Sequence, residues 1–212
     1  MQQWNRMALT TALFLSACTT GDNNTYYELP FKAVNTVATV YCDSREVNTC
    51  NFGGVMDENG SSSTVHSKKH WIVRVSVADF LAGNGLVYQT SDVQYATARS
   101  NLWASPLEQQ LQRTLVANLS TEMPNIFFST QQTGNDTDRL SVTITGFHGR
   151  HDGRAVVQGD WLLTHDGCVI QKSFNLALMQ EKDGYDALTR TLALAWNKVG
   201  QQMAKDFVAT IH

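Results

Sequence analysis

The chain has no hydrophobic run of about 20 residues, the length an α-helix needs to cross a bilayer, so no spanning segment is predicted. It also lacks an excess of positive charge. Against 16 Lys and Arg stand 19 Asp and Glu, a net of −3, whereas a general nucleic-acid binder would carry a basic stripe. Catalytic signatures are missing too: there is no G-x-S-x-G elbow, no H-E-x-x-H, no phosphate loop and no dinucleotide fingerprint. These absences remove the enzymes that announce themselves by motif, though not a hydrolase whose groups converge from scattered positions. The four cysteines include no C-x-x-C pair, which argues against a zinc site.

What is present begins with Leu15-Ser16-Ala17-Cys18. A short start with one cation, Arg6, leads into an apolar run from Met7 to Ala17 that is too short to span a membrane and has signal-peptide architecture. Small residues directly before a cysteine form the bacterial lipobox pattern. Residues 1–17 are therefore predicted to be removed, leaving Cys18 as the diacylglycerol-bearing first residue. The alternative is a plain secretory site with Cys18 as an ordinary cysteine; either reading exports the chain. In an oxidising compartment Cys42 and Cys50, eight apart in a polar stretch, are predicted to close a small disulfide loop, the alternative being two unpaired thiols. Cys168 falls in a strand pattern and reads as a small, half-buried core residue.

Residues 18–69 read as a lipidated tether and polar loop with one short strand near Tyr26-Tyr27-Glu28-Leu29-Pro30, and residues 70–212 as a single domain. Trp71, Val73, Val75 and Val77 alternate on one face of a strand. Leu86 to Thr90 and Gln94 to Ala98 suggest two short ones. Ser105-Pro106-Leu107-Glu108 has the spacing of a capping box, with Ser105 as N-cap and Pro106 opening the helix, and Leu107, Leu111, Leu115 and Leu119 follow as an apolar stripe. Two Asp-Gly pairs, Asp152-Gly153 and Asp166-Gly167, separate three extended segments into a β-meander. A third, Asp183-Gly184, precedes a long helix with Leu188, Leu192, Trp196, Val199, Met203 and Phe207 on one side. The expected fold is α+β: a two-layer sandwich with a mainly antiparallel sheet covered by two amphipathic helices.

Few residues stand out as candidates for chemistry. His148-Gly149-Arg150-His151-Asp152 offers two imidazoles and a carboxylate, but His151-Asp152-Gly153 and His165-Asp166-Gly167 share one form. That repetition favours turn chemistry, with the imidazoles in solvent, over a metal centre, which wants three or four ligands and a supporting shell. Neither a metal nor a cofactor is expected. Trp103, just before the helix, reads as a core anchor rather than a binding tryptophan.

Asp79-Phe80-Leu81-Ala82-Gly83-Asn84-Gly85, Val87-Tyr88-Gln89-Thr90-Ser91-Asp92 and Asn101-Leu102-Trp103-Ala104-Ser105-Pro106-Leu107 together resemble the paraquat-inducible lipoprotein PqiC family of transport-auxiliary lipoproteins. Gly159-Asp160-Trp161-Leu162-Leu163 and Asp183-Gly184-Tyr185-Asp186 extend the likeness through the last helix. The resemblance implies a non-enzymatic subunit, anchored in the outer membrane and facing the periplasm. It also implies docking to a mammalian-cell-entry-type periplasmic tunnel protein, PqiB-like, that carries lipid between membranes. Such a protein could assemble as a homo-oligomer matching a ring-shaped partner. A domain that carries its own lipid in a groove between sheet and helices is the alternative. The stretch from Cys42 to Ser63 is longer and richer in cysteine than the family leads one to expect.

Overall fold

The computed structural model describes residues 23–30, 69–132 and 138–211; Cys18, Cys42 and Cys50 lie outside the described residues. Eight strands, β1 (Thr25–Tyr27), β2 (Lys69–Val77), β3 (Gly85–Gln89), β4 (Tyr95–Trp103), β5 (Ile126–Ser129), β6 (Arg139–Arg150), β7 (Arg154–His165) and β8 (Cys168–Met179), form one sheet. Two helices, α1 (Leu107–Glu122) and α2 (Tyr185–Ile211), pack against it and against each other. This is the α+β sandwich that the hydrophobic periodicity implies.

Strand β6 organises the sheet. It pairs antiparallel with β7 from Arg139 to Gly149, which leaves a single free edge. That edge is shared in sequence: β2 takes Arg139–Ile144 and β3 takes Gly149–Arg150, both in parallel. A register shift between Ile144 and Gly146 marks the changeover, where a bulge adds the local twist needed to part the two arms. One arm ends at β5, the other runs through β4 to β1. The antiparallel ladders β3–β4, β6–β7 and β7–β8 hold most of the paired length. The parallel pairing of β2 with β5 and β6 arises because α1 carries the chain over the sheet, so both return in the direction of β2.

Turn chemistry explains the hairpins. Asp166 and Gly167 both adopt positive φ, 46° and 78°, as a two-residue type I′ turn requires. The β6–β7 connection instead places only Gly153 at positive φ, with its N–H donating to the Arg150 carbonyl at 2.9 Å. There Asp152 accepts from Arg150 Nε at 2.9 Å and Nη2 at 2.6 Å, and this pairing holds its carboxyl down at about 2.

Between the layers the apolar stripes meet. Leu111, Leu115 and Leu119 of α1, Trp196 and Phe207 of α2, and Trp71, Val73, Ile144 and Val157 of the sheet are all buried. Trp103 is 4% exposed and is a core anchor.

Three local expectations need correction. No capping box forms: Pro106, with ψ 131°, is the N-cap, and its carbonyl accepts from the Gln109 and Gln110 N–H groups. Ser105 therefore lies one residue too early to cap, and its buried Oγ has no hydrogen-bond partner. Strand β4 runs on to Trp103 rather than stopping near Ala98, because β1 and β3 flank its second half. Cys168 is exposed rather than half-buried, since it opens β8 beside the Asp166-Gly167 turn. A maleimide reagent is accordingly expected to label Cys168 in the native protein, and Cys168→Ser to abolish that labelled peptide; labelling only after denaturation would contradict the exposure.

Candidate functional site at the β1 edge

Strand β1 is three residues long, yet it is stitched in at several points. Thr25, Tyr26 and Tyr27 pair in parallel with Asn101, Leu102 and Trp103. Tyr27 donates its hydroxyl hydrogen to Asn101 Oδ1 at 3.1 Å, and its ring lies 6.3 Å from that of Tyr185 at the start of α2. Burial, with the nearby Asp186 carboxylate, raises the Tyr27 pKa. Leu29 is 2% exposed, and its N–H donates to Gln110 Oε1 at 2.8 Å. Gln110 in turn donates to the Ser105 carbonyl at 2.8 Å, so one buried amide both secures the start of α1 and ties β1 to it. Arg113 pairs with Glu28, and these two with Leu29 and Pro30 line a shallow depression. Gln110 was not singled out from sequence, because nothing local distinguishes a buried glutamine on a helix from an exposed one.

Within residues 18–69 the structure places β1 at Thr25–Tyr27. In the sequence, Thr19 to Asn24 lie between Cys18 and β1.

The histidine cluster does not come together as a metal centre. His148 is buried at 4%, with Nδ1 3.0 Å from the Gly149 carbonyl and the Tyr95 ring edge-on at 5.1 Å. His151 is exposed in the turn, and Asp152 is occupied by Arg150 and Arg154. Desolvation lowers the His148 pKa below its ordinary 6.5. A group that takes up its proton less readily when folded stabilises the protein fully above the unfolded pKa and loses that contribution as pH falls. Unfolding free energy is expected to decline from about pH 7 toward pH 5, and His148→Gln to flatten the decline. Urea titrations across that range check it; an unchanged slope would contradict it.

His165 is not in solvent, contrary to expectation. Its Nδ1 lies 2.9 Å from Asp138 Oδ1, its Nε2 lies 3.4 Å from Asp166 Oδ2, and its ring rests on Trp71 at 5.2 Å. Asp138, His165 and Asp166 are the residues whose donor atoms could hold a metal ion. The two carboxylates, however, face different ring nitrogens, which makes the group a bridge between β6 and the β7–β8 turn. The Nδ1 contact with Asp138 is a hydrogen bond, while Asp166, beside Nε2, is largely exposed. Strand parity could have found it: Ala155, Val157, Trp161 and Leu163 point inward, and His165 follows in the same phase.

The described residues thus form a two-layer α+β domain with β1 as one edge strand of its sheet. Residues 56–204 match the family described as ABC-type transport auxiliary lipoprotein component, and the chain belongs to that family. It is 40% identical over 207 residues to the intermembrane transport lipoprotein PqiC of Escherichia coli K12, covering 97% of each chain. The Shigella flexneri protein of the same name gives the same figures. A solved structure of an uncharacterized protein shares 52% identity and superposes with a TM-score of 0.64, covering 66% of this chain and 92% of the other. A Xanthomonas campestris protein, 15% identical, shares the fold at a TM-score of 0.56, covering 65% of this chain and 82% of its own.

Proposed function

We propose that this lipoprotein is a non-catalytic auxiliary subunit of an intermembrane lipid transport system. In this reading acyl chains on Cys18 hold it in the outer membrane, facing the periplasm, and the folded domain docks a mammalian-cell-entry-type tunnel protein like PqiB. The observation that carries the reading is the 40% identity to PqiC across 97% of both chains. Thr19, the residue after the acylated cysteine, supports outer-membrane delivery, since inner-membrane retention would favour aspartate there. Trp71, Trp196, Phe147 and Phe207 are buried in the core between sheet and helices, which supports docking over a lipid-carrying groove in that layer.

Affinity purification of the full-length protein from gently solubilised membranes tests the reading. A tunnel-forming partner is expected to co-purify in stoichiometric amount. Failure to recover one, even after in-cell crosslinking, would sink it.

A further inference from the structure

The anchor reading and the register of β1 together bear on which end of the domain meets the membrane. Cys18 and Thr25 are seven residues apart, so at about 3.3–3.6 Å per residue the acylated cysteine lies within about 25 Å of Thr25. Thr25 is level with Asn101 and runs parallel to β4, so the chain before it leads back toward the beginning of β4. From Asn101 back to Gln94, at the β3–β4 turn, is also seven residues. Because β4 spends five residues, Thr97 to Leu102, where β3 spends two, Gly85 to Val87, that path is shorter than seven residue lengths, and an extended leash lets Cys18 reach the level of the turn.

The same end of the sheet carries an unusual share of exposed apolar side chains. Among the described residues eight large hydrophobics are exposed, and four of them lie here: Phe80 at 43%, Val93 at 80%, Tyr95 at 49% and Met179 at 62%. Tyr88 and Gln89 pair with Gly149 and Arg150, and Arg154 pairs with Met179, which places the β3–β4 turn, the β6–β7 turn and the end of β8 together. Phe80 and Tyr95 stack, their centroids 5.1 Å apart, with Val93 two residues away at the tip. A phenol beside aliphatic and phenyl groups suits the boundary between headgroups and acyl chains, where one side of the ring is wet and the other apolar.

We propose that the β3–β4 turn, with Val93 and Tyr95 backed by Phe80, rests in the lipid interface of the leaflet that holds the Cys18 acyl chains. The proposal rests on the lipid-anchor reading. The lipid chains capture the domain, and the short leash then presents this end rather than the Asp166-Gly167 end, where Val169 is exposed.

The test uses the full-length acylated protein in vesicles of phosphatidylethanolamine and phosphatidylglycerol doped with a diazirine-bearing phospholipid. After illumination, lipid adducts are mapped by peptide mass spectrometry. Adducts are expected on Phe80 and on residues 91–95, several-fold above those at Val169 and Val208, and a Val93→Ser/Tyr95→Ser double variant is expected to lose most of them. If intact mass shows Cys18 without acyl chains, the anchor reading falls and the proposal falls with it. Acylated protein that labels only at Tyr26 or Val169, or nowhere in the folded domain, leaves the anchor standing and overturns the turn contact.

Discussion

Replacing Trp196 with alanine is expected to lower the unfolding free energy by about 3–5 kcal/mol, the usual loss for a buried aromatic truncated in a core. Trp196 is 1% exposed and lies where α1, α2 and the sheet meet. Its Nε1 donates to Thr114 Oγ1 at 3.0 Å and sits 3.2 Å from the Leu111 carbonyl, so it fixes one helix against the other as well as filling volume. Trp196→Phe separates the two contributions. Phenylalanine keeps much of the packing and loses the donor, for which about 1–2 kcal/mol is expected. At about 2–4 °C per kcal/mol for a domain of this size, the alanine variant should melt about 6–20 °C lower than the native chain. A loss under about 1 kcal/mol would mean that the helix interface repacks freely.

Cys18→Ala carries the largest expected effect on location. Each buried methylene of an acyl chain contributes about 0.8 kcal/mol to membrane binding, and stable attachment needs more than one chain. Removing the acceptor thiol is expected to shift the protein from the membrane pellet to the soluble periplasmic fraction. The melting midpoint should stay within about 2 °C, because the described strands and helices begin only at Thr25. A variant that still sediments with membranes, at high salt and without its partner, would show that attachment does not run through that thiol.

Much of the architecture is legible in local pattern. The four-residue spacing of leucines in α1, the alternation in β6 and the Asp-Gly turns each report a period or a positive φ that the neighbouring residues alone dictate. The parallel arms are not legible in that way. Nothing near Ile72 or Thr25 records that β6 or β4 will lie beside it, since the partners are brought there by α1 and by long connections. Ser105 misled because helix boundaries depend on which carbonyl accepts the first N–H, and Pro106 takes that role. The candidate site divides similarly. The proposal for Cys18 rests on its flanking residues alone, whereas Gln110 and the Asp138–His165 pair acquire meaning only when distant segments meet.

The parallel pairing of β1 with β4 also has a mechanical consequence. A leash pulled along the strand axis loads the hydrogen bonds of Thr25 to Tyr27 together, in shear, and then meets Leu29 and its bond to Gln110. Had β1 been pulled across its axis, the same bonds would open one after another like a zipper. The direction in which the strand enters therefore sets how much tension the envelope can place on the domain before its edge peels away.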